Sequence, residues 1–437
     1  MIQLENTTLY TEVNAILTNE DSDKHTVTHE VTIHTELLDY EDSIVESVES
    51  TEDYNSNVAD YILATLHIQA GDFVKDIYPY RNNLQVTLTR IVNGERITRD
   101  YIGVIVNGLS GFDSSRYSKA TKEELNTQDQ IRIGIQCIDP YMYRIRNIDV
   151  SGIYSDITVG ELLSSKFGNI RNALGNINNF IVDISEPDNL KRYPQIEVPT
   201  GTKILALPTK LQEGNYGVYN GDIGTYIKPN EDGVNIYMYP LYDENRFDNV
   251  DSKMIIYGVD NLKYEFAEHT YLLDGDVLKL ISSGSTVNYN DSDTKMLDDG
   301  YGFVSTNQNT IAQRNLNVDD DKVVIDKDMV NRGSVIKNRG DNITRAKYIG
   351  STDNLFMPRS VVIKKTMMIY QISWKHCNPD LIYPGMPVMY IYMDGETLIK
   401  QKGVLQSAYY LYNNATKTST GLLNIMVKKP EKESENV

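Results

Sequence analysis

The chain has 437 residues, 40% hydrophobic and 24% charged, with 42 Lys and Arg against 61 Asp and Glu, a formal net charge of −19. This is an ordinary globular mix with room for a large core in two to four domains, and it excludes wholesale disorder. The acidic excess opposes adhesion to nucleic acid, which needs neutralised phosphates, yet it suits a wall past which DNA slides without sticking.

Residues 1–60 are acidic and alternating. Thr26 to Thr35 reads as a period-two strand rich in β-branched residues, and Leu37 to Ser56 as a solvated acidic loop. Residues 61–150 hold apolar alternating runs separated by Asn93-Gly94, a strong hairpin signal because both residues tolerate positive φ. The stretch from Asn107 to Gln130 reads as a surface loop. In residues 151–245, Thr158 is a candidate N-cap for a helix, with Glu161 at the capping-box position. Asn169 to Leu174 extends it or starts a second. Pro187, Pro194, Pro199 and Pro208 then punctuate extended pieces, and Asp232-Gly233 turns a hairpin into the Tyr-rich run Val234 to Tyr239. This region reads as a small α+β domain.

Residues 246–285 return to strands at Met254–Tyr257, Lys263–Phe266, Tyr271–Leu273 and Val277–Ile281, with a turn at Asp274-Gly275. Residues 286–355 are Asn-, Asp- and Ser-rich, an inserted loop-rich domain. Asn290 to Asp293 and Asp319 to Asp321 lack the alternating oxygens, central Gly and distal Glu of a calcium loop. Residues 356–430 are again strands, and 431–437 form a charged tail.

Two of these regions read alike. Ile77-Tyr78-Pro79, a strand, Asn93-Gly94-Glu95 and a strand entering Gly103-Val104 match Ile382-Tyr383-Pro384, a strand, Asp394-Gly395-Glu396 and a strand entering Gly403-Val404. Upstream, Ile62 to Ile68 matches Met368 to Trp374; downstream, Ile131 to Ile138 matches Leu422 to Val427. The order of strands and turns implies one β-module present twice. The expected fold is thus mainly β (β-rich α+β). The first β domain takes 1–150, and the second, discontinuous, takes 246–285 and 356–430.

Candidate chemistry is sparse. Tyrosine dominates the aromatics, 31 against 8 Phe and 1 Trp, which suits half-buried sheet faces and large subunit contacts. Cys137 and Cys377 read as free buried thiols. Of the six histidines, His25 and His29 share one face of a strand and His34 the other, as exposed polar residues. No nucleophile elbow, phosphate loop or His-Glu-x-x-His occurs, so no catalytic, cofactor or metal residue is nominated and the reading is not an enzyme. Met1 to Asn6 shows no secretory pattern, and no apolar run approaches the ~20 residues that cross a bilayer, so no membrane partner is expected.

The C-terminal pattern Leu381 to Val388, then Gly403-Val404-Leu405, Asn413-Asn414 and Leu422 to Val427, resembles the T4-type central baseplate hub family of contractile-tailed bacteriophages. The helix beginning Val159-Gly160-Glu161-Leu162-Leu163 and the hairpin at Glu231 to Val234 are similar to that family too; 286–355 departs most. The resemblance implies two domains like the tail-tube subunit, a homotrimer that presents six such modules, and a match between the sixfold tail tube and the threefold central spike. Implied partners are the tail tube protein, the spike, the tape measure protein and baseplate wedge proteins, with DNA only passing through the lumen. The implied place is the virion tail baseplate, assembled in the host cytoplasm. The rival readings are a host glycan-binding tail adhesin and a tail-associated cell-wall hydrolase.

Overall fold

A computed structural model describes residues 2–18, 26–41, 43–54, 61–106, 130–175, 179–230, 233–243, 245–259, 269–282, 284–288, 316–319, 322–326, 345–347, 354, 356, 367–395 and 397–428. The protein is mainly β. Its first strands are β1 (Val27–His34), β2 (Asp39–Tyr40), β3 (Ile44–Asp53), β4 (Tyr61–Gln69), β5 (Leu84–Val92), β6 (Glu95–Val106) and β7 (Gln130–Ile138). The middle holds β8 (Gly152–Thr158), β9 (Asn179–Ile184), β10 (Arg192–Val198), β11 (Ile223–Asn230) and β12 (Gly233–Pro240). Then come β13 (Lys253–Gly258), β14 (Tyr271–Asp274), β15 (Val277–Ser282) and β16 (Ser285–Asn288). A separate small sheet is made by β17 (Leu316–Asp319), β18 (Lys322–Asp326) and β19 (Arg345–Lys347). The last strands are β20 (Met367–Lys375), β21 (Pro387–Asp394), β22 (Thr397–Asn413) and β23 (Thr418–Lys428).

The two similar stretches have one topology. In the first, β4 pairs antiparallel with β7, β7 with β6, and β6 with β5. In the second, β20 pairs antiparallel with β23, β23 with β22, and β22 with β21. The registers agree at equivalent positions up to Leu405, after which β22 carries a register shift that β6 lacks. Gly103 faces Leu84 and Cys137; Gly403 faces Val388 and Val427. Ile62 faces Cys137; Met368 faces Val427. The flanks differ, because β5 is joined by antiparallel β1 whereas β21 is joined by parallel β13. The Ile-Tyr-Pro segments occupy the same place in different conformations. Tyr78–Tyr80 forms a 3-10 turn, while Gly385 takes φ +69°, where a Cβ would lie 2.3 Å from the Tyr239 ring.

The hairpins follow from their turn residues. Asn93 and Gly94, at φ +50° and +93°, link the paired Val92 and Glu95, the handedness that suits the strand twist. In the second module Asp394 is still paired, with Thr397, so the turn begins one residue later than expected, at Gly395 with φ +59°. Gly233 is likewise paired, with Asn230, rather than in the turn.

Two expectations fail. The stretch expected as a solvated loop holds β2 and the ten-residue β3. The inward positions of β3 include Ser47, Ser50 and Glu52, so the apolar alternation that marks a strand is diluted. Nor did the N-terminus suggest its helix, Ile2–Leu17, which buries Leu9, Val13 and Ile16 against Tyr257, Val259, Ile281 and Ile391. The capping box is present: the Glu161 amide donates to Thr158 Oγ1 at 3.1 Å, and the Thr158 amide donates to Glu161 Oε2 at 2.9 Å. That helix, Val159–Gly168, buries Leu162, Leu163 and Phe167 in a core drawn from residues 142–238. The larger core joins both modules, from Val27 to Cys137 and from Met254 to Val427, and takes in Tyr226, Tyr239 and Leu241. Lys263–Phe266, Asn290–Asp293, most of 286–355, and 431–437 lie outside the described residues.

Candidate functional site

The two modules meet along one strand. β22 is 17 residues long. Its first part pairs with β21, ending at Val404 opposite Pro387. A register shift follows between Leu405 and Ser407, and the Gln406 carbonyl turns out to accept from the Tyr54 amide at 2.9 Å. Such a shift re-aims a strand edge. From Ser407 to Asn413, that edge pairs antiparallel with β3, from Asp53 to Ser47. One strand thus belongs to the second module and closes on the first.

Side chains reinforce this seam. Asn414, past the end of β22, acts as one more backbone unit beside β1: its Oδ1 accepts from the His29 amide at 2.8 Å, and its Nδ2 donates to the His29 carbonyl at 2.7 Å. Arg90 on β5 reaches Asp380, ahead of β21, at 2.7 Å. Glu52 on β3 is buried, accepts from the Tyr54 hydroxyl, and lies 3.5 Å from Lys228 Nζ. Lys228 on β11 also donates to the Ile382 carbonyl at 3.0 Å, and Tyr239 donates from its hydroxyl to the Tyr54 carbonyl at 3.0 Å. The middle region is therefore tied to both modules at the seam. A cleft of about 450 Å³ remains there, its charged lining mixed in sign: Glu52, Arg90, Arg99, Lys228 and Asp380.

Burial sets the chemistry of the tyrosines here. It pushes the hydroxyls of Tyr54, Tyr410 and Tyr412 well above the ordinary tyrosine range, and the Glu52 carboxylate pushes the same way. They stay protonated and pack in the core, and the Tyr54 hydroxyl donates to Glu52. His29 was expected to be exposed. It is buried instead, edge-on to Tyr412 with ring centroids 4.8 Å apart. Burial, with Arg90 nearby, lowers its pKa to about 3, so the ring is neutral. His29 lies on the apolar face of β1, in period-two step with the buried Val27, Val31 and Ile33, a signal the reading of the sequence passed over.

The other singled-out residues do not gather into a site. His34 lies on the opposite face of β1, Nδ1 2.7 Å from Asp39 and Nε2 2.7 Å from Thr87. His67 and Arg132 share Glu46, at 3.0 and 2.7 Å, and the Arg132 bond is the main cause that lowers the Glu46 carboxyl below its usual range. His25 lies outside the described residues. Cys137 and Cys377 are buried and free, and burial pushes both thiols up to about 12. Among the described residues no group of three His, Cys, Asp or Glu could hold a metal ion, and no helix is long and apolar enough to cross a membrane. Sequence reasoning passed over Glu52 and Tyr54, and took Asn413-Asn414 only as part of a resembling pattern, not as a cap.

No family model and no curated protein matches this chain. Among solved structures, the chain is similar to the prophage MuSo2 43 kDa tail protein from Shewanella oneidensis, at 10% identity and TM-score 0.46 over 91% of this chain and 98% of that one. It is also similar to the tail protein from Neisseria meningitidis MC58, at 9% identity and TM-score 0.44 over 92% and 97%. A third is the E. coli c3393 protein, a component of the type VI secretion system, at 9% identity and TM-score 0.42 over 91% and 77%.

Proposed function

We propose that this protein is the central hub of a contractile-tail baseplate, a homotrimer that matches a sixfold tail tube to a threefold spike and lines the channel for DNA. The observation that carries the reading is the pair of modules with one strand order and one register, fused edge to edge within a chain. Two such units per chain give three chains six quasi-equivalent units. In the proposed division the first module takes 1–150, the α+β part 151–245, the second module 246–285 with 356–430, and the insertion 286–355. The net charge of −19 favours a lumen that repels phosphate. The role is structural, with tube and spike proteins as axial partners and tape measure and wedge proteins as further neighbours.

The test is assembly. The purified chain is examined by sedimentation and native mass measurement, then mixed with candidate tail tube and spike proteins and imaged. The expected result is a trimer that caps one end of the tube and seats one spike. A chain that remains monomeric at high concentration and binds neither protein refutes the proposal.

A further inference from the structure

We propose that the cleft at the seam binds a small monocarboxylate, an acid group carried on an aromatic or aliphatic body. This site is independent of the assembly proposed above, which gives the cleft no role.

The anchor for the acid is Arg99. On β6, Ile97, Arg99 and Tyr101 alternate with the exposed Thr98 and Asp100 and are the more covered set. Arg99 faces Leu88 across the ladder, and Leu88 faces Val31, so the guanidinium stands in an otherwise apolar row. It lines the cleft of about 450 Å³ and makes no ion pair or hydrogen bond among the described residues. The other charges of the lining are matched: Arg90 pairs with Asp380 at 2.7 Å, and Lys228 lies 3.5 Å from Glu52.

Two more lining groups lack partners. His29 Nδ1 and the Tyr410 hydroxyl are buried, on residues 4% and 0% exposed, and neither has a hydrogen-bond partner among the described residues. A buried polar atom left unpaired is costly, and its presence calls for an occupant. The neutral imidazole can donate or accept according to its tautomer, and the hydroxyl by rotation. Ile97, Leu88, Tyr237 and Tyr383 complete an apolar and aromatic wall. A few polar groups set in such a wall is the make-up of a small-molecule pocket.

The charges select the ligand. One unmatched guanidinium suits one carboxylate, which its planar fork holds by two parallel hydrogen bonds. A dianionic phosphate would place uncompensated charge beside the Glu52 and Asp380 carboxylates. The body of the acid packs on the tyrosine rings, and a hydroxyl or amide on that body meets His29 or Tyr410.

The experiment titrates the full-length chain with 3-phenylpropionate and with its amide, followed by ligand-observed NMR. The acid is expected to bind at about 1 mM or tighter and the amide about tenfold more weakly. A short glycine peptide ending in phenylalanine, with a free or an amidated C-terminus, is titrated beside them. Binding of either acid supports the site, and the tighter of the two tells whether the carboxylate comes from a free small molecule or from a chain terminus. Arg99→Gln is expected to leave the melting temperature unchanged, since it gives up no partner, and to weaken the acid about tenfold. Tyr410→Phe keeps the ring, is expected to leave the melting temperature unchanged too, and weakens the acid about threefold. A cleft that takes neither acid up to about 10 mM holds water only and overturns the proposal. Equal binding of acid and amide, or acid binding indifferent to both variants, overturns it as well.

Discussion

Asn414→Ala tests whether the seam is held by the contacts described. Asn414 makes two hydrogen bonds, at 2.8 and 2.7 Å, to the main chain of His29, which is 4% exposed. Each bond is worth about 1 kcal/mol net, and stranding a buried amide or carbonyl costs about 1–3 kcal/mol. A hollow lined by His29 and Asn414 lies alongside and can admit water to the stranded groups, so the lower end applies and the expected loss is about 2 kcal/mol. Asn414→Asp keeps the shape. Its carboxylate still accepts from the His29 amide but sets a second lone pair against the His29 carbonyl, so a similar loss is expected at neutral pH. The charged form is disfavoured in the fold, so the folded pKa of that Asp rises above its unfolded value. Its deficit against the parent then shrinks as pH falls toward ~4, where the protonated acid donates as the amide did. Urea unfolding of all three proteins at pH 7 and pH 4.5 measures this. An Asn414→Ala protein within about 0.5 kcal/mol of the parent, or an Asn414→Asp deficit that does not narrow on acidification, refutes the clamp.

Two further outcomes are expected. Gly103→Ala and Gly403→Ala probe equivalent positions with unequal surroundings: a Cβ at Gly103 meets Val86 Cγ2 at 2.6 Å, whereas one at Gly403 meets the Met426 carbonyl oxygen at 2.0 Å. A side chain yields more readily than a backbone, so Gly403→Ala costs about 3 kcal/mol and Gly103→Ala about 1–2 kcal/mol, and Val86→Ala partly rescues only the latter; thermal unfolding ranks them, and the reverse order contradicts the registers. Acid sensitivity follows from His29, held neutral with a pKa of about 3 while the unfolded chain protonates near 6.5. The unfolded state then binds more protons, so stability present above pH 6.5 is lost as pH falls toward 3, about 2 kcal/mol of it by pH 5. His29→Phe should flatten the slope of stability between pH 7 and 5, and an unchanged slope counts against a buried neutral ring.

What was legible in the sequence was local and periodic. Asn93-Gly94 and Gly395 demand positive φ wherever they stand, and Thr158 with Glu161 satisfies two orphan amides within one turn, so both signals survive folding. The repeat was legible because it rests on order and spacing. β3 was not, because its buried side includes Glu52, which the fold tolerates only beside Tyr54 and Lys228, the latter brought from 176 positions away in sequence. The N-terminal helix escaped notice because residues 1–60 read as one acidic, alternating stretch. His29 read as exposed because it is polar, although it alternates in step with Val27, Val31 and Ile33 on the apolar face of β1.

β22 also has a mechanical meaning. Seventeen extended residues make a rod of about 55–60 Å, and this one is common to both halves of the molecule. Load passing between the halves crosses the β22–β3 ladder, whose hydrogen bonds lie side by side along the strand and must shear in unison. Sliding one half past the other would have to break all seven paired positions, Ser407 to Asn413, at once.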